Sequence, residues 1–599
     1  MAALLAGAAT AQTPVAEPAA PMHHEAFWAR RLTGYLTTRD GIQLRYSVLL
    51  PRGEGPFPTI VNYSGYDPGG LGGPAYMADD TAMSVNLDRA LVERGYAVFG
   101  VNARGTGCSE GRFDFLGPDY GRDGRDAIEF IAAQPWSNGA VGMANWSWAG
   151  MSQLATAAER PPNLKAIAPG MVMADARLDS WAPGGVPAPA FVAHWWEYLH
   201  SRWASVRASA EAENDAACLA QVAQNLRTAE PENLSSVIIR HPLRDAYIEQ
   251  RRLAARTAQI AVPVLSMTAF QDEAVTSREG HYHDTIDPSR LWLVQTNGGH
   301  DLYESKRFRE ILLGFLDRFV KGEANGFERR PRLQLWLESH SSGEGHVYQE
   351  ALLPGFLVER EGWSPTVRPM RFALSGGGAL VAEGKGSGAA DAYIYPIAGA
   401  AVNVDAEGDR WGSLAPDWRR GSLAYTSAAL GETLLAYGTA SADLWLSSTA
   451  TDTDLQVTLT ELRPDGQEMF VQRGWLRASN RAQDDGRATA LRPVPLDRPE
   501  TMTALTPGVP ILARVELPKF GHAFRAGSRM RLWIDAPSRW GGYGFAPHSA
   551  PATNSIWHDA SHPSQLVLGL IDGFTVPTGR PACGTVLKQP CRLDPLRRK

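Results

Sequence analysis

Short apolar runs alternate with helical segments between Leu32 and about Gly322. Runs such as 96–101 and 262–265 are continuous, as expected for strands that are buried on both faces of a parallel sheet. Segments such as 123–133 and 310–320 instead repeat apolar residues with the period of a helix. The alternation predicts an α/β domain, over about 26–322, with helices packed on a largely parallel sheet.

The stretch from about 174 to 256 interrupts this alternation. It is rich in tryptophan, at Trp195, Trp196 and Trp203, and it is helical without a strand-like run. We interpret it as a helical cap inserted into the α/β domain. The alternative is a set of extra helices packed away from any site, because aromatic residues at helical spacing often belong to a core.

The sequence changes character after the polar segment 322–332, which we interpret as a linker. Short strands with alternating apolar residues follow, as in 455–459 and 530–534, each beside a turn sequence. No repeat of fixed period is present, which argues against a propeller or a solenoid. Residues 333–599 therefore predict an all-β sandwich or jelly roll.

The charges of the chain are close to balance. Lys and Arg number 58 and Asp and Glu 64, for a formal net charge of −6. No basic field attracts phosphate backbones or anionic lipid, so we expect no nucleic acid partner. No stretch approaches the roughly 18 uncharged apolar residues that span a bilayer. We expect a soluble protein, with no membrane partner, that acts on a small molecule; whether it forms a homo-oligomer stays open.

The first 25 residues predict a signal peptide and leader. Met1 to Gln12 form an apolar run in which Ala9-Thr10-Ala11 resembles the cleavage site of an exported protein. This pattern favours a periplasmic or secreted protein. Because the run is short and lacks a basic segment, two alternatives stay open: a recorded start that is truncated, and a start at Met22 that gives a cytoplasmic protein.

Four cysteines are present, Cys108, Cys218, Cys583 and Cys591. Only the last two are close in sequence. They either form a disulfide that pins the C-terminal tail, as in exported proteins, or remain free thiols.

No cluster of Cys and His has the spacing of a zinc site, and we expect neither a metal nor an organic cofactor. One alternative is a metal site around His281 and His283, which alternate on a predicted strand beside Glu279 and Asp284. Isolated histidines are more often surface residues than ligands, and this set lacks a recognised ligand spacing.

The candidate nucleophile is Ser147, which lies between a predicted strand and a predicted helix. A sharp turn at this place lifts the hydroxyl clear of the sheet and puts it at a helix N-terminus, beside a backbone N–H. The usual pattern is Gly-x-Ser-x-Gly, but here Asn145 and Ala149 replace the two glycines, with Gly150 one position later. The alternative is a serine that only caps a helix.

Two later strand ends supply the partners of this serine. Asp272 follows the apolar run 262–270, and His300 follows the run 291–294 and a flexible Asn-Gly-Gly segment. Ligands of open α/β sheets bind at the carboxyl ends of the strands. Ser147, Asp272 and His300 also occur in the order that α/β-hydrolases use, so we predict a catalytic triad.

Longer stretches carry a resemblance to a known family. They include 94–111, with Arg-Gly-Thr-Gly-Cys-Ser-Glu-Gly at its end, 133–139, and 262–272. In the second half, 524–527 and 558–564 do the same. Over nearly its whole length the chain resembles the serine hydrolases that include cocaine esterase, X-prolyl dipeptidyl peptidases, cephalosporin acylases and α-amino-acid ester hydrolases. The resemblance implies a hydrolase core, a helical cap and a C-terminal jelly roll.

The family's elbow sequence is Gly-x-Ser-Tyr-x-Gly. Ser147 and Gly150 match it, while Asn145 and Trp148 depart from it, the latter keeping an aromatic ring. The resemblance also implies that the hydroxyl of Tyr66 and the N–H of Trp148 are the donors of the oxyanion hole. The alternative for Tyr66 is a core tyrosine at a strand end.

We therefore predict acyl transfer to water through an acyl-enzyme, by an esterase or acylase. The alternative activities are those of X-prolyl dipeptidyl peptidases and α-amino-acid ester hydrolases. Relatives that require a free α-amino group surround it with carboxylates, in some cases just after the catalytic aspartate. Here Asp272 is followed by Glu273, Ala274 and Val275, which is no acidic cluster, although Glu197 of the cap remains a candidate carboxylate.

An alternative of another class is a binding protein, in which the jelly roll captures a glycan or a protein and the hydrolase core is degenerate. The unusual Asn145 favours it. Against it stands the joint presence of the candidate nucleophile, base, carboxylate and oxyanion tyrosine.

Overall fold

The structure is a computed structural model, and it describes residues 27–66, 84–229, 233–341, 352–362, 366–400, 411, 414–539 and 543–597, apart from the side chains of 204 and 205. The predicted signal peptide and leader, and the alternative start at Met22, lie outside the described residues.

Strands occur in both parts of the chain, and the described α-helices all lie between Val85 and Leu316. The strands are β1 Arg30–Thr37, β2 Gln43–Leu50, β3 Phe57–Ser64, β4 Ala97–Asn102, β5 Ser137–Trp146, β6 Leu164–Gly170, β7 Val264–Ala269, β8 Leu291–Thr296, β9 Leu333–Leu337, β10 His340–Ser341, β11 Leu352–Leu353, β12 Phe356–Arg360, β13 Arg368–Ser375, β14 Ala379–Ala382, β15 Ala390–Tyr395, β16 Ser422–Ser427, β17 Leu434–Ser448, β18 Asp454–Leu462, β19 Gln467–Arg477, β20 Ile511–Phe524, β21 Arg529–Asp535, β22 Ala552–Trp557, β23 Gln565–Leu570 and β24 Cys591–Leu593. The α-helices are α1 Val85–Glu93, α2 Asp119–Ala132, α3 Ser147–Ala158, α4 Pro189–Ala212, α5 Ala216–Thr228, α6 Leu234–Arg240, α7 Ala246–Gln250 and α8 Lys306–Leu316.

The first sheet has the order β1-β2-β4-β3-β5-β6-β7-β8-β9-β12 among the described residues. Strands β3 to β9 pair in parallel, and β1, β2 and β12 are antiparallel to their neighbours. Strands β4, β7 and β8 are buried along their whole length, as their continuous apolar runs predict. The carboxyl ends of β5, β7 and β8 therefore lie at one edge of the sheet, where the predicted triad residues follow them.

The predicted helices at 123–133 and 310–320 are confirmed. The first is α2, and the second is α8 followed by a π-helical turn, Asp317–Lys321. Both helices bury an apolar face, with Ile128 and Leu312 among their inaccessible residues.

The insertion at 174–256 is helical, as predicted, and it contains no strand among its described residues. Helices α4 to α7 lie here, between β6 and β7. Side chains at their N-termini accept hydrogen bonds from backbone N–H groups of the first turn. Asp215 accepts from Cys218 N over 2.9 Å, and Asp245 accepts from Ile248 N over 3.0 Å. Aromatic residues of α4 point toward the carboxyl edge of the sheet, where they line the cavity described below, so these helices are a cap rather than helices packed away from the site.

The C-terminal part is all-β, as predicted. Strands β13 to β24 form one further sheet system, with β18 flanked by β19 and β21 and β20 paired with β17. The predicted strands at 455–459 and 530–534 are β18 and β21. A jelly-roll arrangement of these strands stays a prediction.

Strands β9 and β12 differ from the expectation for residues 333–599. They extend the first sheet, since β9 pairs in parallel with β8 and β12 pairs with β9. The reason is that β9, Leu-Gln-Leu-Trp-Leu, is almost entirely apolar and is buried throughout, as expected for an inner strand of a parallel sheet.

The β domain packs against the loop that follows β7. Gln472 Nε2 donates to the Phe270 carbonyl over 2.8 Å, and Gln271 Nε2 donates to the Val471 carbonyl over 3.0 Å. Arg525 and Glu338 form a buried ion pair nearby. The two glutamine contacts hold the segment that carries Asp272 against the β domain.

Both cysteine pairs form disulfides. The bond between Cys583 and Cys591 is the disulfide alternative of the sequence analysis, and a second bond joins Cys108 to Cys218 across 110 residues. The second bond ties α5 of the cap to the loop after β4.

Among the described residues, no helix is both long and apolar enough to cross a membrane.

The segment around His281 is a 3-10 turn, Glu279–Asp284, rather than the predicted strand. His281 Nε2 lies 2.8 Å from a carboxylate oxygen of Glu516, and His283 Nε2 lies 3.1 Å from Ser266 Oγ. The described part of the chain contains no group of three or more side chains arranged to hold a metal. The metal-site alternative therefore finds no support in this turn.

Candidate active site

Ser147 is the first residue of α3 and directly follows β5. Its φ is +57°, in the left-handed region, while Trp146 before it is extended. This is the sharp strand-to-helix turn that exposes a nucleophile, and the conformation is costly for a residue with a side chain. The first N–H groups of α3, including that of Trp148, have no acceptor within the helix.

Asn145 is accommodated next to this turn by its own side chain. Its Nδ2 donates to Ser84 Oγ over 2.5 Å, and its Oδ1 accepts from Trp146 N over 2.8 Å. The glycine at 150 is still required, because a Cβ there would lie 2.7 Å from Val172 Cγ1. The departure at Asn145 thus leaves the turn intact.

Asp272, His300 and Ser147 lie in hydrogen-bonding order. His300 Nδ1 lies 2.8 Å from Asp272 Oδ2, and His300 Nε2 lies 2.9 Å from Ser147 Oγ. Asp272 Oδ1 accepts from the backbone N–H groups of Ala274 and Val275 over 2.8 and 2.9 Å. The carboxylate is therefore fixed, and it orients the imidazole with Nε2 toward the serine.

The surroundings of His300 favour its charged form. Burial lowers the pKa of His300, but the Asp272 carboxylate and then Glu273 raise it, and the result is a pKa above the ordinary value. The indole of Trp146 packs edge-on against the imidazole, with ring centroids 4.9 Å apart. The carboxylates of Asp272 and Glu273 thus favour an imidazolium at this position, as a general base requires.

The loop closed by the Cys583–Cys591 disulfide supports the histidine from the β domain. Lys588 Nζ lies 3.5 Å from Glu273 Oε1, and the other oxygen of Glu273 accepts from His300 N over 3.3 Å. The histidine loop is thus held by residues of both domains.

Tyr66 follows the end of β3. It is buried, and it lines the same cavity as Ser147 and His300. Trp195 Nε1 donates to the Tyr66 hydroxyl over 2.6 Å. Burial raises the pKa of Tyr66, so the phenol stays protonated and able to donate.

Trp148 packs its indole against the chain just before Tyr66. A Cβ at Gly65 would lie 2.0 Å from the Trp148 ring, so only glycine permits this approach. The aromatic ring that the sequence retains after Ser147 therefore serves to hold the end of β3 against α3.

A cavity of about 120 Å³ opens over Ser147 and His300. Its wall is aromatic and aliphatic apart from these two residues and the tyrosine hydroxyls. The described lining residues are Tyr66, Phe115, Ser147, Trp148, Met151, Met173, Trp181, Phe191, Val192, Trp195, Tyr198, Leu234, Ala274, Val275 and His300. No described residue of this lining is acidic or basic apart from the histidine.

The structure brings all five predicted site residues together. It adds Phe115 and Trp181, which the sequence did not single out, to the lining of the cavity. It also adds the hydrogen bond from Trp195 to Tyr66. The cluster of tryptophans in 174–256 predicted the segment that covers the site, but it did not predict which side chains of that segment face the cavity. Glu197, the cap carboxylate named as a candidate, is exposed and is not part of the lining.

Models of known families match most of the chain. The X-Pro dipeptidyl-peptidase (S15 family) model matches residues 40–301, and the X-Pro dipeptidyl-peptidase C-terminal non-catalytic domain matches residues 325–567. The chain is 26% identical to cocaine esterase of Rhodococcus sp. (strain MB1 Bresler), over 89% of this chain and 97% of the relative.

Solved structures share the whole fold. A CocE/NonD family hydrolase from Staphylococcus aureus aligns with a TM-score of 0.72 and 20% identity, over 90% of this chain and 93% of that one. An α-amino acid ester hydrolase aligns with a TM-score of 0.67 and 18% identity, over 94% and 100%. With the α/β-hydrolase sheet, the elbow at Ser147 and the matches over both halves, the chain belongs to the serine hydrolase family of cocaine esterase and the X-Pro dipeptidyl-peptidases.

Proposed function

We propose that the protein is a serine esterase in which Ser147 is the nucleophile, His300 the general base and Asp272 the carboxylate that orients it. The observation that carries this proposal is the Ser147–His300–Asp272 hydrogen-bond sequence at the floor of an apolar cavity. His300 accepts the Ser147 proton as Oγ attacks the ester carbonyl carbon. The same proton then passes from His300 to the leaving alcohol, and a water molecule repeats the sequence to release the acid.

Tyr66 and the backbone N–H of Trp148 stabilise the oxyanion in this proposal. Charge develops on the carbonyl oxygen as the C–O bond to Ser147 forms, and donors that are already in place require no reorganisation. Tyr66 lines the cavity together with Ser147, and the N–H of Trp148 points out of the first turn of α3.

The cavity favours esters of compact apolar acids. An apolar cavity of about 150 Å³ holds one benzene molecule, so about 120 Å³ suits an aromatic ring or a short alkyl chain. Aromatic walls from Phe115, Trp181 and Trp195 provide stacking and edge contacts for such a group.

A free α-amino group is not required in this proposal. The residues after Asp272 that face the cavity are Ala274 and Val275, and no described residue of its lining is a carboxylate. A buried ammonium without a charged partner is strongly disfavoured. These features argue against the dipeptidyl-peptidase and amino-acid ester hydrolase alternatives.

Two kinetic measurements test the proposal. An aryl ester such as 4-nitrophenyl benzoate should release a stoichiometric burst of 4-nitrophenol from the wild type and none from Ser147→Ala. Esters of phenylalanine and of N-acetylphenylalanine should then be compared under the same conditions. A kcat/KM more than about tenfold higher for the free amine would overturn the substrate assignment.

We also propose export through the leader at 1–25, and a domain division into 26–322 and 333–599 with the cap at 174–256. The two disulfides support export, because such bonds persist in oxidising compartments. Fractionation of cells that express the chain with and without residues 1–25 tests it. Full-length protein found only in the cytoplasm would contradict export.

A further inference from the structure

A hydrogen bond from the cap reaches the cavity that holds the proposed triad. Trp195 Nε1 donates to the Tyr66 hydroxyl over 2.6 Å, and Tyr66 lines the same cavity as Ser147 and His300. Ser147 Oγ lies 2.9 Å from His300 Nε2, and His300 Nδ1 lies 2.8 Å from Asp272 Oδ2.

The chemistry of these groups fixes the direction of the observed bonds. An indole N–H can only donate and an ionised carboxylate can only accept. His300 therefore carries its proton on Nδ1 and accepts the Ser147 proton at Nε2. The phenol oxygen of Tyr66 accepts from Trp195, so its own proton points to the other side, into the cavity that Ser147 lines.

We propose that Trp195 is a positioning residue that holds the Tyr66 hydroxyl in its donating orientation toward the oxyanion. This inference rests on the proposed function, in which Tyr66 is an oxyanion donor. The indole N–H occupies a lone pair of the phenol oxygen, so the phenol proton is turned away from the cap and toward the nucleophile. A hydroxyl that accepts one hydrogen bond also becomes polarised and donates a stronger one.

The indole is itself held in place. Its ring lies 5.2 Å from that of Phe115 and 5.4 Å from that of Trp148, centroid to centroid. Trp195 belongs to α4 of the cap, whereas Tyr66 and Trp148 belong to the hydrolase core. A residue of the cap thus completes an oxyanion hole whose donors come from the core. The position of α4 determines the orientation of the Tyr66 hydroxyl.

The competing role for Trp195 is that of an apolar wall of the cavity. A wall residue changes ground-state binding of the substrate, and it acts whether or not residue 66 carries a hydroxyl. A positioning residue changes the transition state alone, and its effect disappears when the hydroxyl that it orients is removed.

A double-mutant cycle separates the two roles. Trp195→Phe keeps a ring and removes the N–H, and Tyr66→Phe keeps a ring and removes the hydroxyl. Both single variants and the double variant are assayed on an aryl ester for which acylation is rate-limiting, after their folding has been checked by thermal unfolding. Trp181→Phe is the matched control, because Trp181 lines the same cavity and also packs on Phe115, whereas the Tyr66 hydroxyl accepts its hydrogen bond from Trp195.

We expect Trp195→Phe to lower kcat about 3- to 10-fold with KM within about twofold, as for one lost neutral hydrogen bond. In the Tyr66→Phe background the same change should alter kcat by less than about twofold. Trp181→Phe should give the same factor in both backgrounds. Trp195→Leu, which also removes the donor, replaces Trp195→Phe if that variant does not fold.

Two outcomes overturn the inference. An unchanged kcat in Trp195→Phe, or an equal loss with and without the Tyr66 hydroxyl, shows that Trp195 is only a wall, and it leaves the proposed oxyanion role of Tyr66 standing. A normal kcat in Tyr66→Phe alone removes that oxyanion role, and the inference with it.

Discussion

At the scale of single residues, Tyr66 is the site residue whose role is most open to measurement. Its hydrogen bond should strengthen as charge develops on the carbonyl oxygen, while ground-state binding changes little. We expect Tyr66→Phe to lower kcat by about 10²–10³ with a modest change in KM, measured by steady-state kinetics on a chemistry-limited ester. The free energy of unfolding should fall by no more than about 1–2 kcal/mol. A kcat near that of the wild type would rule out the phenol as donor.

Sequence reasoning reached the candidate residues of this site but not their fine arrangement. Ser147, Asp272 and His300 could be predicted because each follows a strand whose carboxyl end meets the others at one sheet edge. The bond from Trp195 to Tyr66 could not, since helical periodicity does not say which of several cap tryptophans faces the cavity.

At the scale of elements, the short 3-10 turn after His300, Leu302–Glu304, contains a buried carboxyl group. Burial raises the pKa of Glu304 to about 7, although Arg309 and the indole of Trp146 lower it. Between pH 4.5 and about 7 the folded protein therefore holds a proton that the unfolded chain has lost. Since the unfolded state binds fewer protons in that window, stability falls as the pH rises through it.

We expect Glu304→Gln to remove this contribution. The difference in unfolding free energy, variant minus wild type, should become more positive from pH 4.5 to pH 8, by at most about 3 kcal/mol. Denaturant unfolding at several pH values measures it. Glu310→Gln, at an exposed position of α8, is the control and should give a difference that is flat within about 0.5 kcal/mol. The same flat difference for Glu304→Gln would contradict the buried, proton-binding carboxyl.

Strand β9 shows what the pattern of apolar residues does not predict, namely the sheet that a strand joins. Leu333–Leu337 falls in the predicted β domain, yet it joins the parallel sheet beside β8. A short apolar run indicates that a strand is present. It does not report which sheet the strand joins.

At the scale of the whole molecule, Arg278 connects three parts of the chain. It lies 2.8 Å from Asp179 of the cap segment and 3.0 Å from Glu516 of β20, while it belongs to the loop after β7. Burial alone raises the pKa of Glu516, but His281 and Arg278 lower it to about 2. The guanidinium thus keeps a buried carboxylate charged at the junction of core, cap and β domain.

We expect Arg278→Met to destabilise the protein by about 3–5 kcal/mol, because buried carboxylates lose their partner. Arg207→Met, which removes an exposed ion pair with Glu211, should cost less than about 0.5 kcal/mol. Urea unfolding of both variants at pH 7 gives the comparison. A loss below about 1 kcal/mol for Arg278→Met would mean that this junction contributes little.

The disulfide between Cys108 and Cys218 marks the limit of prediction at this scale. The two residues are 110 positions apart, so only the docking of α5 on the core brings them together. Cys583 and Cys591, separated by 8, could be named from the sequence as a possible pair, with free thiols as the alternative.

The central claim is that Ser147 is a nucleophile activated by His300. Labelling with a fluorophosphonate, followed by mass spectrometry of the labelled peptide, tests it most directly, because the probe reacts with an activated serine and not with a serine that only caps a helix. The account predicts one adduct per chain, on Ser147, and no adduct on the folded Ser147→Ala variant. A folded wild-type protein that stays unlabelled, or that is labelled at another residue, would contradict it.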